Sequence, residues 1–194
     1  MKKVYAFDFD GTLTTRDTLL VFICYAKGTR AFLWGFLRHA HLLVLMKLRL
    51  YPNWKAKQRV FSYFFKGMTL EEFDALCRQF AADHRELLRP EGVKVLQQAQ
   101  ADGAEVLIVS ASIDNWVQPF FPDVKVVGTQ VEVKNGCLSG RFLTQNCYGE
   151  EKVRRILAIY PDRSAYHLTA FGDSRGDIGR LVACEEDHRP DAIA

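Results

Sequence analysis

The most telling shortage in this 194-residue chain is of acid. From Thr18 to Leu70 there is no Asp and no Glu. The same stretch holds nine basic residues: Lys27, Arg30, Arg38, Lys47, Arg49, Lys55, Lys57, Arg59 and Lys66. Against a net charge of +3, the rest of the chain is therefore acidic, so a basic segment sits inside an acidic frame. Other absences narrow the class. The five cysteines are odd in number and none are spaced Cys-x-x-Cys, which argues against a zinc site or a disulfide framework and suits a reducing compartment. No low-complexity tract or internal repeat occurs. Met1-Lys2-Lys3 runs straight into an apolar strand, leaving no room for a signal peptide before it. The longest apolar stretch, Arg30–Leu50, is interrupted by Arg38, His39, His41, Lys47 and Arg49, too many charges for a membrane span of about 20 apolar residues. An interfacial helix remains compatible with it. The five histidines show no metal-ligand spacing.

What is present points to phosphate chemistry. The apolar run Val4-Tyr5-Ala6-Phe7 ends in Asp8-Phe9-Asp10-Gly11-Thr12. A second run, Leu168-Thr169-Ala170-Phe171-Gly172, ends in Asp173-Ser174-Arg175-Gly176-Asp177. Both read as buried parallel strands, whose carboxyl ends are where open α/β sheets bind ligands. Four carboxylates at one edge repel unless a cation sits among them, and oxygen-only ligands suit Mg²⁺. Val106-Leu107-Ile108-Val109 forms a third strand ending in Ser110-Ala111-Ser112, where a hydroxyl can donate to a phosphoryl oxygen; Ser112 competes with Ser110 for that role. Lys152, after Gly149-Glu150-Glu151, opens a helical stretch and can neutralise a transferring phosphoryl group.

In this order the pieces resemble the haloacid dehalogenase superfamily of phosphohydrolases, with Asp8, Asp10, Gly11 and Thr12 as its first motif, Ser110 its second, Lys152 its third, and Gly172, Asp173 and Asp177 its fourth. The stretch Arg89-Pro90-Glu91-Gly92 and the hairpin around Asn135-Gly136 are similar to its phosphoserine-phosphatase-like branch, subfamily IB. The resemblance implies a Rossmann-like parallel sheet, residues 1–15 and 89–194, with an inserted all-helical cap, residues 16–88. It implies Asp8 as nucleophile forming an aspartyl phosphate, with Asp10 as general acid and base. Gly11 and Thr12 would shape the phosphate loop. Mg²⁺ would be held by Asp8, the Asp10 carbonyl and Asp173, with Asp177 behind, orienting Lys152 or a metal-bound water. Phosphoserine phosphatases hold their substrate through a cap glutamate and an arginine; the counterparts here are Asp17 and Arg59. The basic, aromatic cap resembles that of bacterial phosphatidylglycerophosphate phosphatases, which implies a small-molecule or lipid-head-group phosphate and a cytoplasmic protein able to touch anionic membrane. Nucleic acid fits the charge, but no binding motif accompanies it. Phosphoserine phosphatase proper is the alternative within the class; a receiver-like signalling domain, or a membrane-surface module without turnover, are the alternatives from other classes.

Spacing and caps predict the remaining elements. Helices are expected over Leu19–Ala26, Arg30–Leu50 and Lys55–Phe65, and from the capping box Thr69-Leu70-Glu71-Glu72 to about Leu88. A further helix runs from Pro90 to Asp102-Gly103, then strands at Ala104–Val109 and Val124–Val127. A hairpin pairs Gln130–Val133 with Leu138–Phe142. Tyr166–Phe171 is the last strand and Ile178–Cys184 the last helix; the tail from Glu185 is assigned nothing.

Overall fold

The structure is a computed structural model that describes residues 1–172 and 187–188. The predicted helix Ile178–Cys184 and the acids Asp173 and Asp177 lie outside the described residues. The chain runs β1 (Lys2–Phe7), α1 (Thr18–Arg38), α2 (Ala40–Lys47), α3 (Asn53–Phe65), α4 (Leu70–Asp83), α5 (Pro90–Ala101), β2 (Glu105–Ile113), the single turn α6 (Asp114–Val117), β3 (Lys125–Thr129), β4 (Val131–Lys134), β5 (Cys137–Phe142), α7 (Glu150–Ile159), β6 (Tyr166–Phe171) and β7 (Asp187–His188).

Five strands form one parallel sheet in the order β3-β2-β1-β6-β7. The central strand β1 is apolar on both faces because both are covered. Val4 and Ala6 pack with Leu107, Val109, Leu168, Ala170 and, from α7, Ile156. Phe7 faces the other way, with Ile108, Phe171 and Leu96 of α5, in a cluster that continues into the helices between β1 and α5. Phe7 and Phe171 stack with centroids 4.5 Å apart, at matched positions of neighbouring strands. The polar tail contains a strand after all: β7 pairs in parallel with β6, Ala170 opposite Asp187. Two residues are too few for periodicity to reveal.

Helices α1 to α4 form an insert with an aromatic interior. Phe22 packs on Phe65, Phe73, Phe80 and Trp116, and Phe61 packs on Phe65 and Phe73. The predicted break at Gly28 is present: its φ of +77° with ψ of 159° interrupts α1, and only glycine takes up such a backbone without steric penalty. The second expected helix is shorter than Arg30–Leu50. It stops at Arg38, and α2 begins after His39, whose ring nitrogen Nδ1 lies 2.8 Å from the Gly35 carbonyl at the helix end. By length and composition α1 could cross a membrane, yet Phe22, Ile23 and Gly35 are buried inside the protein.

Two sets of backbone bonds tie the insert down. At its ends, Thr15 N–H donates to Leu87 (2.8 Å) and Arg89 N–H to Leu13 (2.8 Å), a short antiparallel pairing. In its middle, the β4–β5 hairpin reaches across. Gly67 N–H donates to Leu138 O (2.9 Å), Leu138 N–H to Met68 O (2.8 Å) and Leu70 N–H to Gly136 O (2.9 Å). The hairpin turn is as the sequence predicts, with Asn135 and Gly136 both at positive φ. The Thr69–Glu72 capping box is present in both directions.

Candidate active site

The site begins where β1 ends. Asp8 N–H still donates to Phe171 O (2.8 Å), extending the ladder by one residue. Gly11, at φ +80°, then lets the chain turn, and Thr14 N–H closes the loop on Phe9 O (3.0 Å). Phe9 and Leu13 point into the core, fully buried. Asp8 and Asp10 alternate with them and line a cavity of about 660 Å³ at the carboxyl edge of the sheet.

Each carboxylate is held by its own set of donors. Asp8 Oδ1 accepts from Phe9 N–H (2.7 Å), and Oδ2 pairs with Lys152 Nζ at 2.9 Å. Lys152 lies in the first turn of α7 and is only 1% exposed, so this ion pair is screened from water. Asp10 Oδ1 accepts from both the backbone N–H (2.8 Å) and the hydroxyl (2.6 Å) of Thr18, and Oδ2 accepts from the Ser112 hydroxyl. Thr18 is fixed in turn by Trp116 Nε1–H at 3.2 Å. The predicted serine divides its work with its competitor: Ser110 lines the cavity, while Ser112 holds Asp10 and donates its N–H to Ser110 Oγ at 3.1 Å. Gly11 and Thr12 shape the loop without lining the cavity, and the buried Thr12 hydroxyl has no hydrogen-bond partner among the described residues.

The strand carrying those serines runs on to Ile113, beyond the expected end at Val109. Its pairing with β3 shifts register between Val109 and Ile113. That irregularity leaves the Ala111 carbonyl to accept from Thr129 Oγ1 (3.0 Å) and from Lys57 Nζ (2.8 Å).

Lys57 is the residue that sequence reasoning missed. It is half-buried on α3, where one turn places Ala56, Lys57 and Val60 on the cavity wall. Desolvation pushes its ammonium below the ordinary lysine value, opposed by the charges of Asp10, Asp17 and Asp8. Arg59, the expected substrate arginine, is exposed and absent from the wall; two residues along a helix is about 200°, which turns it to the opposite side. Asp17 does line the cavity. It caps α1 by accepting from Leu19 N–H (3.0 Å), and desolvation, then the charge of Asp10, raises its pKa while Lys57 opposes. Nothing local marks Lys57 among nine cations; only the seat of α3 on β5, where Gln58 Oε1 accepts from Phe142 N–H (2.9 Å), selects it. Thr18 carried a faint signal, as the first residue after a helix cap.

The wall thus carries the carboxylates Asp8, Asp10 and Asp17 and the ammonium groups Lys47, Lys57 and Lys152, under a roof of Leu19, Leu20, Phe36, Leu43, Met46 and Val60. Among the described residues, no three acidic, histidine or cysteine side chains converge as a complete metal cage. The donors that are present, the Asp8 carboxylate and the main chain of Asp10, are hard oxygens of the kind Mg²⁺ takes. The Asp10 carboxylate is already engaged by three hydrogen bonds, which leaves its carbonyl as the oxygen to offer.

This architecture places the chain among α/β enzymes that work at the carboxyl edge of a parallel sheet. Comparison with known proteins makes the class specific. The chain belongs to the haloacid dehalogenase-like hydrolases, whose family model matches residues 5–181. It is 35% identical over 188 residues to Protein CicA of Caulobacter vibrioides, covering 93% of this chain and 82% of that one. A protein of unknown function from Bordetella pertussis Tohama I shares the fold with a TM-score of 0.81 at 20% identity, over 95% of this chain and 88% of that one. A phosphoserine phosphatase solved as a phospho-aspartyl intermediate analogue superposes with a TM-score of 0.56 at 18% identity, over 91% of this chain and 80% of that one.

Proposed function

We infer that this hydrolase is a phosphomonoesterase working through a covalent aspartyl phosphate on Asp8. The observation that carries the reading is the pair of carboxylates after β1, one held by a buried lysine and the other immobilised by three hydrogen bonds. An Asp8 oxygen attacks phosphorus in line, and the ester P–O bond breaks. Asp10 gives its proton to the departing alkoxide. It then takes one from the water that attacks the phospho-enzyme, releasing phosphate and restoring Asp8. Lys152 and the Ser110 hydroxyl hold the phosphoryl oxygens. Mg²⁺, held by Asp8, the Asp10 carbonyl and Asp173, would neutralise phosphate charge beside these acids. Asp177 would stand behind them.

In this reading residues 16–88 act as a cap over a core of residues 1–15 and 89–194, and the cap chooses the substrate. Its apolar roof supports a leaving group with apolar surface, a small-molecule or lipid-head-group phosphate, over zwitterionic phosphoserine. Asp17 and Lys57 are the polar contacts it offers. The free thiols of Cys24, Cys77, Cys137 and Cys147 support a cytoplasmic location, and the acid-free stretch supports action at the inner face of the membrane.

Turnover of p-nitrophenyl phosphate tests the reaction. It should need Mg²⁺, stop in excess chelator, and fall at least about 10³-fold in Asp8→Asn, which keeps the shape but loses the nucleophilic oxygen. Full activity in chelator, or an Asp8→Asn rate above a tenth of wild type, refutes the mechanism.

A further inference from the structure

The acid-free stretch has an outward side that the catalytic reading does not use. Beyond the break at Gly28, α1 carries Leu33, Trp34 and Leu37, α2 carries Val44, and Leu48 caps α2, all between 57 and 66% exposed. Leu33 and Leu37 are four residues apart on α1 and so share a helix face. Leu50 continues the patch at 72% exposure. Arg30, Arg38, Lys47 and Arg49 flank these side chains and are exposed as well, and no acid lies in the segment to balance them. An apolar patch rimmed by one sign of charge marks an interaction surface.

The other side of the same helices faces the catalytic cavity. Phe36 of α1 and Leu43, Met46 and Lys47 of α2 line its roof. No residue of α2 is buried, so this single helix separates the cavity from the exposed patch.

We propose that the α1–α2 elbow is a docking surface for an anionic lipid bilayer, with Leu33, Trp34, Leu37, Val44 and Leu48 entering the headgroup–acyl boundary and Arg30, Arg38 and Arg49 meeting lipid phosphates. Charge complementarity selects this occupant. A surface with cations but no acid at its rim is self-repelling when doubled, which disfavours a second copy of the chain. A bilayer accepts leucine and tryptophan between cations without matching their shape. The break at Gly28 and the burial of Phe22, Ile23 and Gly35 inside the protein fit an elbow that lies on the membrane rather than across it, with the catalytic cavity one helix away. A lipid phosphate monoester would then reach Asp8 past α2, a consequence that rests on the phosphatase reading, whereas the docking does not.

Co-sedimentation with vesicles decides the matter. The full chain should bind phosphatidylcholine vesicles containing phosphatidylglycerol, should bind pure phosphatidylcholine weakly, and should release as salt rises, each cation near the surface contributing roughly fivefold in affinity. Trp34 fluorescence should shift to the blue on binding. Trp34→Glu with Leu37→Glu should cut anionic-vesicle binding at least about tenfold, and so should Arg30→Glu with Arg38→Glu. Neither pair should change p-nitrophenyl phosphate turnover or the melting temperature by more than scatter. A wild-type chain that ignores both vesicle types overturns the proposal. So does a concentration-dependent dimer that Leu37→Glu dissolves, since the patch then covers a second copy. If p-nitrophenyl phosphate is never hydrolysed, the phosphatase reading fails and vesicle binding still decides the docking. If vesicles bind but phosphatidic acid within them is not hydrolysed while p-nitrophenyl phosphate is, delivery past α2 is overturned and docking stands.

Discussion

Ser112→Ala separates positioning from chemistry at Asp10. The serine hydroxyl donates to Asp10 Oδ2, both serine and Thr18 are fully buried, and Thr18 occupies Oδ1 with two further bonds. A hydrogen bond to a charged acceptor is worth about 1.5–3 kcal/mol. Taking about 2 kcal/mol, and about 2–4 °C per kcal/mol for a chain of this size, the melting temperature should drop roughly 4–8 °C. With Oδ2 released the carboxylate can swing, and misplacing a proton-transfer group by an ångström costs on the order of 100-fold in rate. Thr18→Val behaves differently. It removes one bond to Oδ1 and strips Trp116 Nε1–H of its acceptor, a second loss of about 1–3 kcal/mol, yet the Thr18 backbone N–H still holds the carboxylate. Thr18→Val should therefore be the less stable variant and Ser112→Ala the slower one. Thermal melts and kcat for p-nitrophenyl phosphate measure the two orders. A Ser112→Ala enzyme with wild-type kcat, or variants that rank the same way in both assays, would show that Asp10 is not positioned by this network.

Lys57→Met should raise thermal stability at neutral pH while impairing substrate use, because burial makes the charged form of Lys57 costly in the folded state. The sign follows from proton counts. Between the lowered native pKa and the ordinary 10.5, the unfolded chain binds more protons, so wild-type stability rises with pH there and the variant's advantage shrinks; melts in which wild type leads at every pH contradict this. Gly35→Ala should destabilise despite alanine's better helix propensity, since the added Cβ would run into the Phe64 ring, and overpacking costs about 1–3 kcal/mol. A higher melting temperature than wild type would mean that the Phe64 ring moves aside freely.

Where local chemistry decides, the sequence was enough. Asn135-Gly136 takes positive φ at both positions, Thr69 and Glu72 cap each other, and Gly28 breaks its helix, each for reasons contained in a few neighbouring residues. The paired acids after β1 were legible because a strand end and its ligand edge are one feature. The misses belong to tertiary structure. Serines at 110 and 112 read as the end of a strand, but here they continue it, because one lines the cavity and the other holds Asp10. Which of Lys57 and Arg59 faces the cavity depends on the rotation of α3, which its seat on β5 sets and no local signal reveals. The aromatics of the insert look alike in sequence: Phe22, Phe61 and Phe65 became interior while Trp34 and Trp54 stayed outside.

The cross-stitch between the β4–β5 hairpin and the Gly67–Leu70 junction bears on how substrate gets in. With its ends pinned at Thr15 and Arg89 and its middle pinned at Met68, the insert cannot swing open as one body without breaking backbone bonds at several separate places. Opening free energy is instead lowest where burial is least, and α2, with no buried residue, is that place. The part of the cavity roof that opens at least cost is therefore α2, a helical turn or two, rather than the insert as one body. Hydrogen exchange should find α2 opening far more often than α3, although both cover the same cavity.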